Sequence, residues 1–222
     1  MKNKIILMVF LLFMVPLACA HQPRIAFGYN SSFENPIHVD KPEISKAYYG
    51  ELKGSPDYYM IESADNFTLY LNILAPDLED SRTDFIVEVL SDNETIYLLN
   101  GTSYEWNIFF EEFARDSYLE GPELETEVEK GAYHIKVYNE DNIGKYSLAI
   151  GKIESFPPEE IIKTAVYLPR IKKEFFEKPA ITAFLNPIGL FILFILLVIA
   201  IVFLIIKSIF KKKKVRISKK RK

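Results

Sequence analysis

Cysteine is almost missing from this chain of 222 residues, in which Cys19 is the only one. It closes an N-terminal stretch in which two lysines precede an apolar run over residues 5–17. Small residues follow the run, as at a signal-peptidase site, so residues 1–20 are predicted to be a secretory signal peptide cleaved after Ala20. The mature chain then has no internal disulfide, and its stability must come from an ordinary apolar core.

Two alternatives remain for this segment. The first is an uncleaved N-terminal anchor, which the short apolar run and Pro16 disfavour. The second is a lipidated Cys19. Lipoprotein signals usually carry an aliphatic side chain three residues before the cysteine, and Pro16 at that position disfavours this alternative.

Sequence motifs of common enzyme classes are also absent. The chain has no Gly-x-Ser-x-Gly, no His-Glu-x-x-His, no phosphate-binding loop and no paired-cysteine metal motif. It has three histidines, and His134, which alternates with Lys136 on a predicted strand, is expected to be a surface residue and not a catalytic base. The sequence therefore predicts a protein that is not an enzyme.

Acidic residues are lacking at both ends of the chain. All 30 lie between the signal and residue 188, together with 15 of the 27 basic residues, so that this part carries a net charge of −15. The uncharged apolar run 188–206 follows, and ten basic residues lie in 207–222. A run of this length predicts one transmembrane helix, and the positive-inside rule predicts a single-pass protein of the cell membrane.

The predicted orientation has the N-terminus outside and the C-terminus in the cytoplasm. The basic cytoplasmic tail, 207–222, is expected to contact anionic headgroups of the membrane. Because topology already explains this basic run, no nucleic-acid partner is expected.

The part between signal and span alternates apolar and polar residues over short stretches that turn residues separate, which predicts an all-β sandwich over 46–154. An extended lead-in, 21–45, that could add an edge strand precedes it. A stalk of short helical pieces, 155–187, follows, and its apolar residues could lie on the sandwich or on the outer leaflet. Strands are predicted over 58–61, 67–73, 85–89, 95–99, 124–128, 133–137 and 146–150, with the strands from 85 onward paired as hairpins.

One segment departs from this β pattern. Trp106, Phe109, Phe110 and Phe113 follow the spacing i, i+3, i+4, i+7, which predicts a short amphipathic helix. The aromatic side chains either close one end of the core or form part of a recognition surface. In the second case the candidate binding residues are Trp106, Glu111, Glu112 and Asp116.

Two further kinds of site are candidates. An acidic loop has oxygen ligands of the type that calcium prefers, although its spacing is not that of a known calcium loop and a solvated loop is the alternative. Its residues are Asp77, Glu79, Asp80 and Asp84. No other cofactor is expected.

The sequence also has four sequons for N-glycosylation, at Asn30, Asn66, Asn93 and Asn100.

Several segments resemble the bacterial pre-peptidase C-terminal domain, a small β-sandwich that accompanies secreted enzymes. The resemblance lies in residues 57–61 and 66–71, and above all in 130–137 with 144–150, where Gly-x-Tyr opens each strand. It implies a β-sandwich from about 57 to 150. Some members of the family are thought to bind calcium or to assist substrate binding, but this chain has no matching ligand set.

These features predict a membrane-anchored extracellular binding module for a glycan or a protein partner. The alternative is a structural or assembly subunit of a membrane surface complex, in which the sandwich is a spacer.

Overall fold

The computed structural model describes residues 21–112, 114–186, 189–190, 193–201, 203–204 and 207. The predicted signal peptide lies outside the described residues. The chain divides into two compact units, Met1–Ala180 and Ile181–Lys222.

Two β-sheets form the first unit, and they confirm the predicted all-β sandwich. The six-stranded sheet has, in spatial order, β1 (Gln22–Ile25), β3 (Lys46–Lys53), β11 (Ile143–Ile150), β5 (Phe67–Pro76), β9 (Asp116–Val128) and β8 (Asn107–Glu111). The five-stranded sheet has β2 (Ile37–His38), β4 (Asp57–Ser63), β10 (Gly131–Tyr138), β6 (Ile86–Ser91) and β7 (Glu94–Asn100). The pairs β1–β3 and β2–β4 are parallel, and the other neighbours are antiparallel.

The core lies between the sheets and is built from alternate residues of each strand, as the period of two predicts. It contains a polar cluster. The hydroxyl groups of Tyr59 and Tyr146 lie 2.8 Å apart, and Asp57 accepts hydrogen bonds from Tyr146 at 2.7 Å and from Ser31 at 2.9 Å. These buried polar groups are therefore paired with one another.

The strand pairing differs from the prediction in two places. The β6–β7 hairpin is confirmed, but β9 and β10 lie in different sheets, and so do β10 and β11. β10 instead pairs with β4 and β6. The alternation of apolar residues places one side of a strand in the core whichever neighbour it has, so this pattern does not select the partner.

The predicted stalk of short helical pieces contains a helix of 17 residues, α1 (Pro158–Glu174), and a short 3₁₀ helix, Ala180–Phe184. Pro158 occupies the first turn, where the missing N–H costs nothing, and Pro169 lies inside the helix. Ile171 and the two phenylalanines after the helix, Phe175 and Phe176, are buried on the outer face of the six-stranded sheet. These three apolar residues of the predicted stalk thus lie on the sandwich.

The second unit contains part of the predicted transmembrane helix. Of the predicted span 188–206, residues 189–190, 193–201 and 203–204 are described and helical, and the others lie outside the described residues, as does the basic tail after Lys207. Within the described residues, no helix is both long and apolar enough to cross a membrane.

The predicted aromatic helix is wrong. Residues 107–111 form β8, which pairs antiparallel with β9 from Asn107↔Glu120 to Glu111↔Asp116. Helical spacing of aromatic residues is also compatible with a strand when a neighbouring strand supplies the backbone hydrogen bonds, and β9 does so here. Phe113 lies outside the described residues.

A candidate binding edge on the sandwich

β8 is the last strand of the six-stranded sheet and carries three consecutive large apolar residues that are exposed to solvent. The exposed fractions are 72% for Ile108, 41% for Phe109 and 52% for Phe110. Ile108 and Phe110 lie on one face of the strand and Phe109 on the other, where its ring centroid is 6.4 Å from that of Tyr118. No strand pairs with the far side of β8 within the described part of the chain.

Trp106, a predicted binding residue, fixes the start of β8 instead of facing a ligand. Its indole Nε1 donates a hydrogen bond to the Gly101 carbonyl oxygen at 2.9 Å, and its ring packs against the core. A Cβ atom at Gly101 or Gly121 would lie 2.8 or 2.6 Å from that ring. Both glycines are therefore required for the tryptophan to fit.

Asp116, another predicted binding residue, is fully buried and paired with two lysines. Its carboxylate lies 2.5 Å from Lys172 Nζ and 2.8 Å from Lys178 Nζ. Lys172 is itself buried and also donates to the carbonyl oxygen of Ala114 in the β8–β9 turn. Asp116 thus joins α1 to the end of β8, and a ligand would reach it only if this contact opened.

The two remaining predicted binding residues lie at the C-terminal end of β8. The Glu111 carboxylate accepts a hydrogen bond from the Ala114 N–H at 2.6 Å, which closes the turn into β9. Glu112 is exposed. Of the four predicted residues, only Glu112 is an exposed side chain beside the apolar edge.

The acidic loop does not assemble as a cation site. Asp77, Glu79 and Asp80 are exposed, whereas Asp84 forms an ion pair with Arg82. Partial burial alone would raise the pKa of Asp84, but hydrogen bonds from Arg82 and Asn139 outweigh it and lower that pKa. Among the described residues, no three acidic, histidine or cysteine side chains are grouped as metal ligands.

All four sequon asparagines are exposed, and two of them also serve local structure. Asn66 Oδ1 accepts a hydrogen bond from the Lys130 N–H at 3.0 Å, and Asn100 Oδ1 accepts from the Thr102 N–H at 3.0 Å. A glycosylated asparagine must be exposed in the folded protein, and these four meet that requirement. Their glycosylation itself stays a prediction.

A buried lysine was not predicted by the sequence analysis. Lys46 donates hydrogen bonds to the carbonyl oxygens of Asp40 at 2.5 Å and Lys41 at 2.8 Å. Burial lowers its pKa to about 8, and the neighbouring charge of Arg24 adds to this effect. Because its ammonium group donates hydrogen bonds to these carbonyl oxygens, Lys46 holds the loop before β3 against that strand. The alternation of apolar and polar residues in the sequence did not indicate that Lys46 is buried.

Comparisons with known proteins identify no family, since no family model and no curated protein match the chain. Among solved structures, the pre-peptidase C-terminal domain of the collagenase from Bacillus anthracis matches with a TM-score of 0.31 and 11% identity, over 60% of this chain and 95% of that domain. The similarity is weak and concerns the fold alone. A β-glucosidase from Paenibacillus barengoltzii gives a TM-score of 0.24 and 12% identity, over 58% of this chain and 13% of that enzyme.

Proposed function

We propose that this protein is a membrane-anchored extracellular module that binds a protein partner, and that the partner adds an extended segment to the free edge of β8. The observation that carries the proposal is the exposure of Ile108, Phe109 and Phe110 on an edge strand. Unpaired backbone groups of such an edge bind an added strand, and the alternate side chains select it.

The composition of β8 favours a binding role over simple exposure. Edge strands of soluble proteins are usually protected by lysine, proline, a bulge or a covering loop. The strand Asn107–Glu111 has no lysine and no proline, and its pairing with β9 has no register shift. A row of backbone acceptors and donors beside three apolar side chains suits a peptide segment better than a glycan.

Charge complementarity specifies the partner. Glu105 and Glu112 are exposed just outside the two ends of β8, with Arg115 in the turn beyond, and the chain between signal and span has a net charge of −15. A second copy of this chain would therefore be repelled, whereas a segment with lysine or arginine on either side of an apolar stretch would be attracted. The partner is accordingly an extended, basic segment of another protein.

The test is a selection from a library of random dodecapeptides on the full chain in lipid nanodiscs, followed by affinity measurements. We expect the selected peptides to alternate apolar residues and to carry basic residues. Phe110→Lys should weaken their binding about tenfold or more, which corresponds to about 1.4 kcal/mol. Leu98→Lys is the matched control, because Leu98 has a similar exposure of 55% on β7, the edge of the other sheet.

The outcomes separate the two functional hypotheses. Equal losses in the two variants would refute the assignment to β8. Binding that survives replacement of the apolar segment 188–206 by another membrane span supports a ligand-binding module, whereas binding that disappears on that replacement supports an assembly subunit of a membrane complex.

A further inference from the structure

α1 has a second apolar surface besides the one that packs on the sandwich. Ile162 and Val166 lie on its outer side, and their exposed fractions are 67% and 65%. Ile162 and Val166 are four residues apart and so lie one above the other on the helix. The outer side of a helix that packs on a globular core is normally polar.

The buried side of α1 excludes the simple explanation that the helix packs incorrectly. Ile171 and Lys172 are almost completely inaccessible, and Lys172 and Glu160 are held in ion pairs with Asp116 and Arg24. Rotation of the helix would break both ion pairs. The outer stripe therefore stays exposed while the helix is docked on the six-stranded sheet.

The charge of α1 is opposite to that of the rest of the extracellular part. α1 contains four basic and three acidic residues, a net charge of +1, although the chain between the predicted signal and span has a net charge of −15. Lys172 is buried against Asp116, so its accessible basic residues are Lys163, Arg170 and Lys173, the first two of which pair with Glu160 and Glu174. Exposed apolar residues beside lysine and arginine are the pattern of a helix that lies at the surface of an anionic membrane.

The position of α1 in the chain also points to a membrane surface. Residues 175–187 alone separate the helix from the predicted span, and a fully extended connection of that length reaches at most about 50 Å. The tether therefore keeps the helix within reach of the bilayer that receives the span.

We propose that the outer stripe of α1, formed by Ile162 and Val166, lies in the interfacial region of an anionic lipid bilayer. The sandwich is then held against the membrane by two contacts, the span and this stripe. The inference rests on the membrane anchoring in the proposed function and is independent of the binding role of β8.

The test uses the full chain with Cys19→Ser, in nanodiscs of phosphatidylcholine and phosphatidylglycerol. Single spin labels are introduced by Ile162→Cys or Val166→Cys, and Leu98→Cys on β7 is the matched exposed control. Collision rates are measured with oxygen, which is enriched in lipid, and with a water-soluble nickel chelate. The positions replaced are exposed, and two label sites guard against one variant that fails to fold.

We expect the labels at 162 and 166 to collide with nickel at least severalfold less often than the label at 98, and with oxygen more often. In discs of phosphatidylcholine alone the difference should shrink. Equal nickel collision at 162, 166 and 98 would overturn the inference. Shielding from both nickel and oxygen would overturn it too, because the stripe would then be covered by protein.

Failure of the proposed function gives different results. A chain that does not enter the discs would refute the anchoring and the membrane contact together. A chain that enters the discs but binds no selected peptide would refute only the binding role of β8. Labels at 162 and 166 that stay in water in an anchored chain would refute only the membrane contact.

Discussion

At the scale of single residues, the buried ion pairs of Asp116 decide how α1 is held. Charges removed from water are costly, and this carboxylate is stable inside the protein because Lys172 and Lys178 both contact it. The same contact joins the helix to the turn that ends β8. One side chain thus connects the two surfaces for which we propose functions.

We expect Asp116→Ala to lower the free energy of unfolding by about 3–5 kcal/mol, because it leaves the Lys172 charge buried without a counter-charge. Urea denaturation of the full chain in detergent micelles measures this, with the fluorescence of Trp106, the only tryptophan, as the signal. The control is Glu112→Gln, which changes an exposed carboxylate and should shift stability by less than about 0.5 kcal/mol. Similar effects of the two variants would contradict the role of the buried pair.

Asp57 makes stability depend on pH. Burial raises its pKa above the ordinary value of 3.8, and the hydrogen bonds from Tyr146 and Ser31 reverse only part of this shift. The folded state then holds a proton that the unfolded state has lost, so the contribution of Asp57 to stability is complete below the unfolded pKa and falls as pH rises through the folded pKa.

Asp57→Asn should remove this dependence. We expect the free energy of unfolding of the variant, measured relative to the unmodified protein, to rise as pH increases above about 3.8. Urea denaturation over a series of pH values gives the difference, and every other carboxylate is common to the two proteins. A difference that stays constant or falls with pH would show that Asp57 is not protonated more readily in the fold.

At the scale of elements, α1 has one structural face and one exposed face. Ile171 is completely buried, so Ile171→Ala should cost about 2–5 kcal/mol through lost contacts and the cavity it leaves. Ile162→Ala removes the same atoms from the exposed face and should change the stability in detergent by less than about 0.5 kcal/mol. Thermal denaturation of both variants checks this, and an equal loss of stability would mean that the outer stripe is covered by protein.

At the scale of the whole molecule, charge and apolarity are separated along the chain. The acidic residues lie between the predicted signal peptide and the predicted span, and the basic tail follows the apolar run. This separation favours one orientation, with the sandwich outside the cell, since a basic segment next to a span stays in the cytoplasm.

The orientation is testable by labelling in cells. In the background Cys19→Ser, Leu98→Cys should react with a membrane-impermeant maleimide in intact cells, because Leu98 is exposed on the sandwich. Ser218→Cys, in the predicted tail, should react only after permeabilisation. The reverse pattern would show that the orientation is inverted, and reaction of both in intact cells would show that the tail is not cytoplasmic.

The sequence by itself determined the all-β class of the sandwich. Alternation of apolar and polar residues located seven of the eleven described strands, because a half-buried strand repeats every two residues, but it missed β1, β2 and β3 and did not identify β8. The apolar run 188–206 and the separation of acidic from basic residues are also visible in the sequence, because both depend on composition alone.

Only the tertiary structure decided which strands are neighbours and which residues of the candidate site are accessible. The same alternation fits either pairing of β10, and the aromatic spacing at 106–110 fits either a helix or a strand, so contacts distant in sequence select the outcome. Asp116 is a charged residue in sequence, and it is unavailable only because α1 and the segment after it bring Lys172 and Lys178 into contact with it. The apolar edge of β8 likewise exists because no described strand follows it in the sheet.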